Sequence, residues 1–232
     1  LALLFLDLAN RARAGCRRRT LMGADPSVSP MRGLIERYAA DLRALERLYP
    51  VSFSPARAAR LDEHMAGAEA SLQAVELDGL DDAGRVDWLL FRNHLRFERS
   101  QLVHAQRKAG EVADLLPFAP AIIQLEEERR HMTAEQEARA CAGVIAGVEK
   151  QALQRQLELT EELCREGGTT TEQRKIAGRR AAMAVDELRA ALGEWRSFYA
   201  EWHPDFAWWL RQPVPAADAA LAAYASFLRE NL

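Results

Sequence analysis

At 232 residues, 49% hydrophobic and 28% charged, the chain can bury a sizeable core and has the balance of an ordinary globular protein. Its net charge of −3, with no dominating basic stripe, excludes the usual footprint of a nucleic-acid partner. Alanine, leucine, glutamate and arginine prevail, glycine and proline fall mainly between periodic segments, and no strand pattern competes; the composition predicts an all-α fold.

Leu1-Ala-Leu-Leu-Phe-Leu-Asp-Leu-Ala9 is apolar, and Arg11, Arg13, Arg17, Arg18 and Arg19 follow it. A secretory signal carries its positive charges before the apolar run, and a membrane span needs about 20 apolar residues. Residues 1–29 are therefore expected to be a disordered leader and linker, with the true start at Met22 or Met31. A clipped export signal is the alternative. Cys16, Cys141 and Cys164 cannot all pair within one chain and form no CxxC motif, which points to a reducing compartment and a cytoplasmic location. Residues 30–232 are expected to form a single helical domain.

Ser29-Pro30 pairs a cap with a proline suited to the first helical turn. It opens a helix over about 30–49 with Leu34, Tyr38, Leu42, Leu45 and Leu48 on one face. Ser54-Pro55 repeats that start for a helix to about 77, striped by Leu61, Met65, Ala68, Leu72 and Val75. Asp81 or Asp82 caps a third helix to about 108. It carries two apolar rows, Val86/Leu90/Phe97 and Trp88/Phe91/Leu95/Leu102, which predicts a wide buried face. A short helix over about 120–131 ends in the charge run Glu126-Glu-Glu-Arg-Arg-His131, which reads as a solvated end.

Thr133 with Gln136 and Thr169 with Glu172 form two capping boxes. The first opens a helix over about 134–166 with Cys141, Ile145, Val148, Ala152, Leu159 and Leu163 on its stripe, stopped by Gly167-Gly168. The second opens a helix that reaches Trp202, striped by Ala181, Val185, Leu188, Leu192, Trp195, Tyr199 and Trp202. The short connection between them predicts a long antiparallel hairpin. His203-Pro204 stops the second arm, Asp205 can cap a short turn, and a last helix over about 216–230 carries Leu221, Tyr224, Phe227 and Leu228. The expected architecture is a bundle of about six to eight helices. Its aromatic corner comprises Trp195, Tyr199, Trp202, Phe206, Trp208 and Trp209, read as a structural core, with a ligand-stacking platform as the alternative.

No catalytic constellation emerges. None of His64, His94, His104, His131 and His203 belongs to an HExxH pair. Glu128-Arg-Arg-His131 is a single ExxH pair without the second that a di-iron bundle needs. There is no GxSxG elbow, P-loop or GxGxxG, and Cys141 and Cys164 lack a basic setting that would favour a thiolate. Catalytic and metal-binding residues are expected to be absent from this chain.

The stretch Ser197-Phe-Tyr-Ala-Glu-Trp-His-Pro-Asp-Phe-Ala-Trp-Trp-Leu-Arg-Gln-Pro213, with Leu221-Ala-Ala-Tyr-Ala-Ser-Phe-Leu-Arg229 and Asp81-Asp-Ala-Gly-Arg-Val-Asp-Trp-Leu-Leu90, resembles the bacterial proteins catalogued as domain of unknown function 885. The resemblance covers roughly residues 31–232. That family is similar to largely helical zinc peptidases and carries an HExxPGH-type motif in its carboxyl-terminal half. No residue of that motif is present here, so no metal or catalytic role is carried onto any position. The resemblance implies a non-catalytic helical region that walls a substrate cleft, with zinc held only by a missing carboxyl-terminal catalytic part, its expected partner. The last helix runs to Leu232 without a terminating signal, in keeping with a longer natural protein. A stand-alone helical binding or scaffold protein is the alternative.

Overall fold

The computed structural model describes residues 30–132, 135–165 and 171–232; the expected leader, the Ser29 cap, Thr133, Thr169 and the Gly167-Gly168 stop lie outside the described residues. Those residues form eight α-helices: α1 (Pro30–Leu48), α2 (Pro55–Gln73), α3 (Asp82–Val112), α4 (Ala119–His131), α5 (Ala138–Arg165), α6 (Glu172–Ala200), α7 (Pro204–Leu210) and α8 (Pro213–Asn231). Short 3-10 turns at Leu77–Gly79 and Ala113–Leu115 complete the set. The fold is an all-α bundle.

Local chemistry explains four of the eight starts. Ser54 Oγ accepts the Arg57 amide at 3.3 Å, and Asp81 Oδ1 accepts the Gly84 amide at 2.8 Å, so both satisfy a donor that the first helical turn leaves open. At α6 the cap is Thr171, which accepts the Arg174 amide at 3.3 Å. His203 is extended and precedes Pro204, which begins α7; Asp205 therefore sits inside the first turn and does not cap it.

The described chain divides into two compact units, one of residues up to Ala44 with Leu61–Ser100, the other of Leu45–Arg60 with Gln101–Leu232. In the first, Tyr38 is the centre of packing. Its ring stacks on His64 at 4.7 Å and meets Phe91 edge-on at 5.2 Å and His94 at 5.8 Å. Met31, Met65, Leu72 and Leu95 are buried in the same unit. Trp88 Nε1 donates to the Leu72 carbonyl at 3.1 Å. The wide buried face expected of α3 is not formed. Only the Trp88/Phe91/Leu95 row packs, while Val86, Leu90 and Phe97 are 54%, 50% and 45% exposed, because one face of that helix suffices to cover the two others in so small a bundle.

In the second unit, α5 and α6 are antiparallel. Arg174 reaches Glu162 at 3.3 Å beside their connection, and Trp195 reaches Gln136 at 3.1 Å at the far end. Helix α8 packs along both arms, α4 against α6 and α5, and α7 against α5 and α6. The predicted stripes of α5 and α6 are buried as far as Leu159 and Trp195. Tyr224 of α8 is fully buried and donates its hydroxyl to the Leu115 carbonyl at 2.8 Å, which satisfies the one polar atom that its burial would otherwise strand. Helix α8 approaches α6 closely where Gly178 offers no side chain. A Cβ there would stand 2.6 Å from Leu232 Cβ and 2.9 Å from the Leu228 carbonyl oxygen.

Candidate functional site

The aromatic corner splits in two. Trp195 and Phe206 are buried and Tyr199 is half-buried; Tyr199 stacks on Phe206 at 4.5 Å and lies 5.1 Å from Trp195. These three are core, as the helical spacing implies for Trp195 and Tyr199, with Phe206 reaching them from α7. Trp202, Trp208 and Trp209 are 78%, 65% and 41% exposed. Trp202 leaves the stripe because α6 ends at Ala200, so the next step of three falls beyond the helix. Arg211 lies over Trp208 at 4.9 Å and Arg139 over Trp209 at 5.6 Å. Each guanidinium shields one ring face, an arrangement of modest strength at exposed sites.

The charge run on α4 is not a solvated end. Glu126 is fully buried. Its carboxylate accepts Arg129 Nε at 2.9 Å, Arg129 Nη2, and Arg130 Nε at 2.8 Å. Arg130 also reaches Glu194 at 3.2 Å and the Arg47 carbonyl at 3.1 Å. A carboxylate without water is tolerated only when paired and hydrogen-bonded in this way.

Helix α5 begins at Ala138 and not at about 134, so Gln136 lies ahead of it, and its side chain ties together parts of the core. Its Oε1 accepts Trp195 Nε1 at 3.1 Å, and its Nε2 donates to the Leu125 carbonyl at 3.2 Å and to Glu128 at 3.1 Å. Cys141 lies beside it, its Sγ 4.0 Å from Oε1. Burial, helped by Glu128, pushes the Cys141 thiol up to about 11. It stays protonated near neutrality and is a core thiol, not a nucleophile. Among the described residues no group of three or more His, Cys, Asp or Glu is placed to hold a metal ion.

A groove of about 820 Å³ lies within the second unit, bordered by the start of α2, the end of α3 and one face of α4. Leu102, Ala105, Ala109 and Ala113 recur at steps of three and four and form a wall of mostly short side chains. Phe53 and Ile123 add apolar surface; Ser54, Gln106, Gln124, Glu127, Glu128 and His131 are among the polar residues that border it. Ser54 Oγ, almost completely buried, donates to Glu127 at 2.5 Å, and Glu128 accepts Gln124 Nε2 at 2.7 Å. His131 rests edge-on against Tyr49 at 4.8 Å. A concave, largely apolar surface with a few convergent polar groups has the make-up of a ligand site. Sequence reasoning missed it because its walls come from three separate helices. The available signal was the small-residue spacing at 102–113 and the change from apolar to polar along 119–131.

Compared with protein-family models, curated proteins and solved structures, the chain matches none.

Proposed function

We propose that the chain is a non-catalytic helical region of a zinc-peptidase-like hydrolase, and that it walls the substrate cleft. The observation that carries this reading is the groove. It is mostly apolar along α3 and polar along the second half of α4, and Ser54 with Glu127 and Gln124 with Glu128 bond in pairs instead of aligning as nucleophile and base. The resemblance of residues 81–90, 197–213 and 221–229 to the domain 885 proteins supplies the hydrolase class. In this reading zinc and the catalytic residues belong to a carboxyl-terminal catalytic part, and the chain contributes shape and binding surface. A stand-alone helical binding protein would use the same groove without that partner.

The test is metal analysis and peptide hydrolysis by the purified chain. After equilibration with zinc and dialysis, the expected result is substoichiometric zinc and no cleavage of a mixed peptide library. Adding the separately produced catalytic half of a domain 885 protein should give a complex in analytical ultracentrifugation. Stoichiometric zinc or cleavage by the chain alone would overturn the reading, and failure to associate would leave the stand-alone binder in its place.

A further inference from the structure

The groove changes character along α4. The helix spans Ala119–His131, roughly 18 Å at 1.5 Å per residue. The face bordering the groove carries Ala119, Pro120 and Ile123 first, then Gln124, Glu127, Glu128 and His131. The alanine wall at the end of α3 borders the same groove. Around the polar half of α4, negative charge accumulates from two sources. Neither Glu127 nor Glu128 forms an ion pair among the described residues, and no lysine or arginine is among the described residues bordering the groove. The neighbouring Arg129 and Arg130 are engaged by Glu126 and Glu194. The second source is the carboxyl end of α4, which lies at this same end of the groove and carries the negative pole of the helix dipole.

Ser54, Gln124 and Gln136 each donate a single hydrogen bond to these carboxylates. A carboxylate has about four acceptor positions, so lone pairs remain for a ligand with several donors. A primary ammonium has three.

We infer that the groove takes the free amino terminus of an apolar peptide, its α-ammonium between Glu127 and Glu128 and its first side chains along Ala105, Ala109 and Ala113. This assignment rests on the reading of the groove as a binding wall and names its ligand class. Charge complementarity selects the amino end of the peptide over the carboxyl end, since a carboxylate there would face two others.

The experiment is calorimetric titration of the chain with Leu-Leu-Leu amide and with its N-acetyl form. The free peptide is expected to bind at least about tenfold more tightly, as for a charge-assisted hydrogen bond removed from a partly buried site. The double variant Glu127→Gln/Glu128→Gln should bring the two affinities together, and Ala109→Phe should abolish binding of both. The acetylation comparison needs no variant, so it decides even if a variant fails to fold. Equal binding of both peptides would overturn the ammonium site while leaving the groove a binding wall. Binding of neither would overturn the inference outright, and the zinc and hydrolysis measurements judge the hydrolase reading separately.

Discussion

Trp195 is fully buried, and the indole N–H that this burial removes from water finds Gln136. Truncating the ring in Trp195→Ala should cost about 3–5 kcal/mol in chemical denaturation, the range for deleting a buried large aromatic. Trp195→Phe, which keeps much of the packing, should cost about 1–3 kcal/mol through the acceptor left with only a weak thiol nearby. Trp202→Ala should stay within about 0.5 kcal/mol, as a surface change. A cost for Trp202 equal to that for Trp195 would mean that the corner is one core. His94 gives a pH signature. Burial lowers its pKa, and Glu98 only partly counters that. The unfolded imidazole then takes a proton first as pH falls, so the stability contributed by neutral His94 is present above the ordinary imidazole pKa of about 6.5 and is lost as the solution becomes more acidic. The melting temperature should fall more steeply between pH 7.5 and 5.5 in the wild type than in His94→Phe; parallel slopes would refute this. Spacing identified Trp195 and Tyr199 correctly because both precede the helix end at Ala200. Gln136 was opaque, since its partners Leu125 and Trp195 lie 11 and 59 residues away.

Helices α6 and α8 test how far propensity governs the elements. Gly178 and Gly193 both lie inside α6, where alanine is ordinarily better than glycine by about 1 kcal/mol. A Cβ at Gly193 would meet nothing within 4 Å, whereas one at Gly178 would collide with Leu232 and the backbone of Leu228. Gly193→Ala should therefore raise stability by up to about 1 kcal/mol. Gly178→Ala should lower it by about 1–3 kcal/mol, because a well-packed contact has to move apart. Stabilisation by both changes would show that α8 yields readily. The existence of the helices and the starts at Pro55, Asp82 and Pro204 were legible because Ser54-Pro55, Asp81 and His203-Pro204 act through neighbours in sequence, whereas α2 stops at Gln73, α5 starts only at Ala138 and α6 ends before Trp202. The groove and the place of α8 along both arms of the hairpin were not legible, because they depend on surfaces that meet only after folding. The two rows of α3 show the same limit: periodicity reports an apolar face, not whether anything covers it.

The two compact units differ in what they bury. The first rests on the small cluster around Tyr38, Phe91 and Leu95, whereas the second contains the fully buried Ile145, Val148, Val185, Leu188, Leu221 and Tyr224 among many more. Described residues 30–44 and 61–100 together amount to less than the roughly 60 residues at which a unit on its own becomes marginal, and fewer buried apolar contacts mean a lower free energy of local opening. Native-state hydrogen exchange should therefore show the slowest amides in α5, α6 and α8, with those around Tyr38 and Phe91 opening first. Phe91→Ala should widen that gap by exposing the first unit's amides while leaving the second's protection unchanged. Equal protection throughout, or loss of protection in both units on that substitution, would show that the molecule opens as a single cooperative body. The groove belongs wholly to the second unit, so peptide binding should survive Phe91→Ala at temperatures where the second unit is still protected. The unit that carries the binding wall is thus also the one with the larger core, which keeps Glu127, Glu128 and the alanine wall in register when the smaller unit opens.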